Sequence, residues 1–291
     1  MMLEKTKDYF VTRYSLIPDI QLDLDSFCGT TKEKKFLDWL MSFGIEKNKE
    51  LNYRGKNYTL YCKRVFDNCF FMSFAKEVHE TIGTKTDEGI RDKLIENYKK
   101  CNILIQTQNQ WMLIEKSSDI SSSIESQKNL IAKVISKSLK NKNLYFELGI
   151  MTEKNNFWKY VTDNADCLTD IDITLSSPNF LDGIKTVSEF LHRTNDIYNN
   201  TSVGIHLKNE EGHLIINKDN EFLQDSIRYA SAGCGRWKAK ASKDSKGCSS
   251  IDNPFIIHLP ENVSQLKDSD EKHILDVISH LERIDSERKK E

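Results

Sequence analysis

The hydrophobic pattern of the chain is most regular between residues 170 and 240. The predicted elements are, in order, a strand at 170–175, a helix at 180–191, strands at 203–207 and 214–216, a helix from Asp219 and a strand at 235–240. Alternation of apolar and polar residues indicates the strands, and apolar residues three or four apart indicate the helices. The order β-α-β-β-α-β predicts a ferredoxin-like domain, in which two crossover helices cover one face of an antiparallel sheet.

The first half of the chain also predicts strands and helices. These elements are a strand at 9–14 and another from Ile20, a helix carrying Phe36, Leu37 and Leu40, a hairpin at 58–65 and 69–74, a loop at 78–86, a helix at 90–95, a hairpin at 102–106 and 111–115, a helix from Ile124 and a strand at 144–150. Thr30 followed by Glu33 is typical of a capping box before the first of these helices. We therefore expect a sheet covered by helices in this half as well.

A last amphipathic helix is predicted near the end of the chain. Its apolar stripe contains Ile274, Val277, Ile278 and Leu281. Such a stripe needs a cover, so the helix is a candidate dimer element, although it would equally be covered by packing on its own domain. The expected fold class is α+β, with an N-terminal domain at 1–152, a ferredoxin-like domain at 168–260 and a C-terminal helix and tail at 265–291.

The composition indicates a protein that is close to neutral overall. The chain has 291 residues, 42 Lys and Arg against 44 Asp and Glu, and a formal net charge of −2, so a basic surface would have to be local. We expect neither a membrane span nor a secretory signal, because no long apolar run is present. Seven cysteines without a C-x-x-C pair favour reduced thiols, most of them small core residues, and a cytoplasmic location.

Motifs for catalysis are few. The sequence lacks a Walker loop, GxGxxG after a strand, HExxH and GxSxG. Asp170 and Asp172 are two positions apart on a predicted strand, so both carboxylates face the same way and are candidate ligands of a magnesium ion. The alternative interpretation places them on the solvent face, opposite Ile171 and Ile173. We expect no metal and no cofactor.

Histidine and cysteine offer weaker candidates. His206 and His213 flank the turn between two predicted strands and are interpreted as surface residues, because two imidazoles make a poor ligand set alone. Cys234 stands between two glycines, where a small buried thiol is favoured over a nucleophile.

The strongest positive signal is electrostatic. Residues 233–249 carry five cations against one acid, Asp244, for a local balance of +4; the cations are Arg236, Lys238, Lys240, Lys243 and Lys246. Strand spacing places the first three on one face and directs Trp237 and Ala239 to the other. A basic strand face leading into a lysine-rich turn favours contacts to phosphates, since releasing condensed counterions drives such binding without base reading. Simple solvation of the lysines is the alternative interpretation.

A second basic face is predicted on the helix that begins near Ile124. Lys133, Lys137 and Lys140 recur at helical spacing away from its apolar stripe, so they are expected to be exposed together. We interpret them as a possible extension of the nucleic-acid-binding surface.

The order of elements resembles that of the RexA-like phage-exclusion, or abortive-infection, family. The segments that carry the resemblance are the strands at 9–14 and 20–22, the helix with Leu37 and Leu40, the strand at 57–61, Asp170 to Ile173 with its helix, and Val203 to Leu207 with its turn. This resemblance implies a two-domain, dimer-forming DNA-binding protein of phage defence that tolerates many sequences. It implies no catalytic residue.

These observations support one leading function and two alternatives. The leading hypothesis is a cytoplasmic, non-enzymatic, homodimeric protein of phage defence that contacts the DNA backbone. The first alternative is an enzyme, a metal-dependent nuclease or nucleotidyl transferase that uses Asp170 and Asp172. The second is an interaction protein that recruits a partner effector.

Overall fold

The computed structural model describes residues 6–19, 31–87, 89–153, 155–176, 184–243, 246–260 and 268–290. Six α-helices and twelve β-strands lie within these ranges. The mixed α+β class predicted from the sequence is confirmed. The predicted strand from Ile20 and the capping residue Thr30 lie outside the described residues; the observed N-cap of the first helix is Thr31, whose side chain accepts from the Lys34 N–H at 3.2 Å.

The helices are α1 (Lys32–Glu46), α2 (Ile124–Ser138), α3 (Asn156–Asp163), α4 (Lys185–Tyr198), α5 (Glu221–Ser231) and α6 (Asp268–Lys290). The strands are β1 (Thr6–Pro18), β2 (Asn48–Tyr53), β3 (Lys56–Phe66), β4 (Cys69–Thr86), β5 (Gly89–Gln106), β6 (Trp111–Glu115), β7 (Leu144–Ile150), β8 (Leu168–Ser176), β9 (Ser202–Lys208), β10 (Gly235–Ala241), β11 (Cys248–Ser249) and β12 (Ile256–Pro260).

The chain divides into two compact units, each built from separate stretches of sequence. The larger unit contains Met1–Ser15, Gln108–Leu113 and Leu148–Glu291, and the smaller unit contains Leu16–Thr107 and Ile114–Glu147. The segment that the sequence singled out, residues 170–246, belongs to the larger unit.

A four-stranded antiparallel sheet is the centre of that segment. Its strand order is β11-β10-β8-β9. One face of the sheet packs against helices α3, α4 and α5, and the shared core is wholly apolar in character; it includes Ile171, Ile173, Leu175, Trp237, Ala239, Phe157, Val187, Leu191 and Ile227. The alternation of each strand therefore directs its apolar residues to the helices and its polar residues to the opposite face.

The ferredoxin-like prediction is wrong in its topology. The predicted strand at 214–216 is irregular, and the Leu214 N–H makes a backbone hydrogen bond to the Leu168 carbonyl at 3.0 Å without starting a ladder. Strand β9 instead pairs directly with β8, from Asp170↔Lys208 to Ser176↔Ser202. A split βαβ arrangement needs a further strand between these two. The 214–216 run forms no strand and does not lie between β8 and β9, so it does not supply that strand.

The smaller unit contains an antiparallel meander of β2, β3, β4 and β5. Helix α1 buries an aromatic cluster here, in which Phe36 stacks on Trp39 with ring centroids 5.5 Å apart. The Trp39 indole N–H donates to the Ser138 hydroxyl at 3.0 Å and so ties α1 to the end of α2. Burial of these large rings accounts for much of the stability of this layer.

The predicted loop at 78–86 and helix at 90–95 are both strands. Pairing of β3 with β4 ends at Tyr58↔Lys76, whereas β4 and β5 continue to pair as far as Thr86↔Gly89. We call residues 77–86 and 89–98 the β4–β5 ribbon. Gly89, the first residue of β5 after the turn, has φ +130°, a conformation that favours glycine.

Helix α6 is covered within this chain. Its predicted apolar stripe is buried, with Ile274 and Leu281 fully inaccessible. At the far end, the Arg13 guanidinium of β1 donates to the Asp285 carboxylate, to the Ala232 carbonyl at 2.9 Å and to the Asn109 carbonyl at 2.8 Å. Of the two interpretations of this helix, packing on its own chain accounts for the stripe.

Candidate nucleic-acid interface

Strand β10 places its three cations on one surface, as its alternation predicts. Arg236, Lys238 and Lys240 are exposed, while Trp237 and Ala239 are 1% exposed and lie in the core. Directly paired residues of an antiparallel sheet share a face. The register of the neighbouring strands therefore identifies the remaining members of this surface.

Two of the three cations lie opposite carboxylates of β8. Lys238 pairs with Asp172 and Lys240 pairs with Asp170, whereas Arg236 pairs with Thr174. The Arg236 Nε lies 3.5 Å from the Thr174 hydroxyl. The two aspartates predicted as possible metal ligands thus share a face, and that face is the one with the lysines.

Strand β9 adds two further polar side chains to the same rows. His206 lies opposite Asp172, and Lys208 lies opposite Asp170. The His206 imidazole contacts both carboxylates, with Nδ1 2.5 Å from Asp172 Oδ1 and Nε2 3.9 Å from Asp170 Oδ1. His206 thus bridges the two aspartates across the sheet.

The open face is the name we give to this polar surface; it consists of Arg236, Lys238, Lys240, Asp170, Asp172, Thr174, His206 and Lys208. It carries four cations against two carboxylates, so its formal charge is +2 with a neutral imidazole. Lys208 also contacts Glu210 beyond the end of β9 at 2.7 Å, and this hydrogen bond raises the pKa of Lys208 and lowers the pKa of Glu210. The basic excess is local, as the sequence requires, but smaller than β10 alone suggests.

The loop after β10 carries two more lysines, each near an acid. Lys243 contacts Asp166 at 3.1 Å, which raises the pKa of the lysine and lowers that of the aspartate. Lys246 lies 3.8 Å from Asp252. All four side chains are substantially exposed, and exposed ion pairs are weak, so phosphates can compete for these lysines. Asp244 lies outside the described residues.

The second predicted basic face belongs to the smaller unit. Lys133, Lys137 and Lys140 are exposed on and just after α2, as their spacing predicts. Lys137 donates to the Asn52 carbonyl. A cavity of about 740 Å³ is lined by Lys137 and Lys140 together with residues of α1, β2 and the α2 terminus, namely Glu46, Asn48, Lys49, Glu50, Leu51, Ser138 and Asn141. The cavity lining therefore mixes both signs of charge.

Sequence reasoning missed two members of the open face. His206 and Lys208 alternate with Val203, Ile205 and Leu207, so the period of two was sufficient to place them on the polar side of β9. Their proximity to the aspartates depends on the strand register, for which the sequence carried no signal.

Other candidate residues take ordinary positions. Cys234 is fully buried, and the six cysteines within the described ranges are free thiols, five of them buried, as expected for small core residues. No group of three or more His, Cys, Asp or Glu side chains in the described part of the chain is arranged to hold a metal ion. Nor does any helix there have the length and apolar character needed to cross a membrane.

Comparison with known proteins assigns no family. No protein-family model matches this chain, and no curated protein sequence matches it. The resemblance to the RexA-like group stays a prediction.

Proposed function

We propose that this protein binds the backbone of nucleic acids through the open face, without reading base sequence. The observation that carries the proposal is the uncovered polar surface of the four-stranded sheet, on which four cations stand against two carboxylates. The aromatic residue of β10, Trp237, points into the core, so this strand offers phosphate contacts rather than a platform for stacked bases.

The carboxylates of the open face set the expected strength of binding. Lys238 and Lys240 have Asp172 and Asp170 as neighbours, and a phosphate must compete with these partners. Arg236 lies opposite a hydroxyl instead, so we expect it to make the strongest single contact. Binding through about three phosphates gives a log–log salt slope of roughly −3 for duplex DNA.

The proposal includes a role in phage defence and a homodimer, both of which rest on the resemblance to the RexA-like group. Two open faces on one DNA molecule would raise the apparent affinity through effective concentration, without any additional contact within each copy. A partner effector is the further component that such a role implies.

The test is a fluorescence anisotropy titration of a labelled duplex at two salt concentrations. Arg236→Gln/Lys238→Gln/Lys240→Gln is expected to weaken binding by at least tenfold at the lower salt concentration and to flatten the salt slope. The matched control removes three cations from the helical side of the same unit, Lys159→Gln/Arg193→Gln/Lys218→Gln, and should bind nearly as tightly as the unmodified protein. Equal losses in both triple variants, or binding that is insensitive to salt, would contradict the proposal.

A second candidate function is favoured by the grouping of Asp170, Asp172 and His206 on the same surface. The two carboxylates alone could share a divalent cation with the phosphates of a bound substrate, which is the arrangement that a metal-dependent nuclease or nucleotidyl transferase uses. Incubation with nucleic acid and nucleotides, with and without Mg²⁺, separates the two functions. Turnover that disappears in Asp172→Asn at unchanged stability would support the enzyme; its absence in the unmodified protein would reject it.

A further inference from the structure

The β4–β5 ribbon is a long two-stranded element with its own distribution of charge. The pairing of β4 with β3 ends at Lys76. The next ten pairs, from Glu77↔Tyr98 to Thr86↔Gly89, join β4 to β5. At ~3.3 Å per residue, each strand of the ribbon is roughly 30 Å long. Most of its side chains from His79 onward are exposed.

One face of the ribbon is basic. The paired rows Lys76↔Lys99, Ile82↔Lys93 and Thr84↔Arg91 lie on this face together with Glu80↔Ile95 and Val78↔Asn97. Two cations of the ribbon, Arg91 and Lys93, and two in the row just before it, Lys76 and Lys99, thus stand against the carboxylate of Glu80. Glu80 contacts Lys99 at 2.8 Å, which lowers the pKa of the carboxyl and raises that of the lysine.

The other face of the ribbon has the opposite sign. Three carboxylates, those of Glu77, Asp92 and Glu96, stand here against Lys85 of the ribbon and Lys100 just before it. The Tyr98 hydroxyl donates to Glu96, and this hydrogen bond raises the pKa of Tyr98 to about 12. A ribbon with one basic and one acidic face has a defined orientation toward a polyanion.

The dimensions of the ribbon fit a groove of duplex DNA. Two strands lie ~4.8 Å apart, and with their side chains they match the major groove of B-DNA, which is about 12 Å wide and admits a two-stranded ribbon. The ribbon length is close to one helical turn, about 34 Å. The major groove of A-form RNA is too narrow for side chains to enter, so DNA is the better match.

We propose that the β4–β5 ribbon docks its basic face in the major groove of B-form DNA. The proposal takes its ligand class from the proposed function but rests on a separate observation, because the ribbon belongs to the smaller unit and the open face to the larger one. Arg91 and Lys93 lie near the tip, where they reach phosphates or base edges. Ile82 lies beside Lys93 and offers an apolar contact to thymine methyl groups.

Docking on DNA also stabilises the two-stranded ribbon. A two-stranded hairpin is marginally stable in water unless another element covers it. Ile82, on the basic face, is 39% exposed, so seating this face in a groove removes its apolar surface from water, whereas Ile90 and Leu94 lie on the opposite face and stay accessible. We therefore expect DNA to reduce hydrogen exchange across residues 77–98.

The test compares two charge-matched variants in the full-length protein. Arg91→Gln/Lys93→Gln removes two cations from the basic face, and Lys85→Gln/Lys100→Gln removes two from the opposite face. The probes are a 30-base-pair DNA duplex and an RNA duplex of the same sequence. We expect the first variant to bind the DNA about three- to tenfold more weakly, with a salt slope reduced by about two, and the control to change little. Binding to the RNA duplex should be nearly equal in both variants.

Five outcomes would overturn the proposal. Equal losses in the two variants would show that only total charge matters. A change in sedimentation of Arg91→Gln/Lys93→Gln without DNA would show that the basic face binds a second copy of the chain. Unchanged hydrogen exchange at 77–98 of the unmodified protein on DNA would exclude docking whatever the variants do.

If the open-face triple variant loses affinity while Arg91→Gln/Lys93→Gln does not, the ribbon proposal fails alone. If the unmodified protein binds no nucleic acid, both proposals fail.

Discussion

Lys238 of β10 lies directly opposite Asp172 of β8 on the open face. His206 follows in the same row, 2.5 Å from the Asp172 carboxylate. Each positive group at the centre of this surface therefore has an acidic neighbour in the free protein. The aspartates act as internal competitors of any phosphate, which makes them as informative to mutate as the lysines.

Asp172→Asn should strengthen nucleic-acid binding. Loss of this carboxylate removes a negative charge opposite Lys238 and raises the charge of the open face, so affinity for duplex DNA is expected to rise about two- to fivefold, the size of effect typical of one surface charge pair. Anisotropy titrations at low and moderate salt measure the change. Asp196→Asn, which removes an exposed carboxylate from α4 on the helical side, is the control and should leave affinity unchanged. Weaker binding by Asp172→Asn would contradict a competitor role.

The alternation of apolar and polar residues along β10 accounts for what the sequence predicted about this surface. The strand that carries Arg236, Lys238 and Lys240 follows from alternation alone, as does the burial of Trp237. The opposition of Lys238 and Asp172 does not, because the two residues are 66 positions apart in the chain and only the paired register brings them together. Alternation therefore predicts that the three cations of β10 share a face, but it does not predict the aspartates opposite two of them.

The β4–β5 ribbon shows where a periodic pattern is ambiguous. Ile90, Leu94 and Ile95 have spacings of four and one, which are typical of a helix, yet they lie in a strand. In the strand Ile90 and Leu94 share one face, on which they are 79% and 67% exposed, while Ile95 lies on the other. The strand forms because residues 89–98 pair with the segment 77–86. The pattern of residues 90–95 alone carries no information about that partner.

Thiol chemistry offers a test of the smaller unit. Burial raises the pKa of the Cys62 thiol to about 12, and burial likewise raises that of Cys101 to about 12. The thiolate attacks a sulfur of the disulfide reagent and expels the other sulfur as a thiolate. The thiolate fraction at pH 8 is on the order of 10⁻⁴ for such a group and grows only as the pH rises toward the pKa. Among the cysteines within the described ranges, native protein at pH 8 should therefore label first at the half-buried Cys248, with Cys62 and Cys101 reacting only after unfolding. Mass-spectrometric mapping with a urea-unfolded control measures the order, and early labelling of Cys101 would contradict it.

Gly149→Ala should destabilise the larger unit. A Cβ at this position would lie 2.0 Å from the Gly233 carbonyl oxygen, which is a backbone atom and has little freedom to move. Overpacking of this kind costs roughly 3 kcal/mol or more of unfolding free energy. The control is Gly204→Ala, whose Cβ would meet nothing within 4 Å, and which should be neutral or slightly stabilising because alanine loses less backbone entropy. Urea unfolding measures both, and equal midpoints would show that the close approach of Gly149 and Gly233 is not maintained in solution.

Asp285→Ala should strongly destabilise the packing of α6 on β1. Arg13 is 3% exposed, and its guanidinium donates to Asp285 in the buried end of the helix. Removing the carboxylate leaves an unpaired buried cation, which costs about 3–5 kcal/mol of unfolding free energy.

The pair itself contributes less than that loss suggests, because both charges were desolvated on folding. Arg13→Met/Asp285→Leu should therefore recover most of the stability lost in the single variant. Asp166→Ala, which breaks the exposed contact with Lys243, is the matched surface control and should leave the urea midpoint unchanged. If Asp285→Ala unfolds at the same urea concentration as this control, the carboxylate does not anchor α6 to β1, and the buried stripe of the helix alone holds it in place.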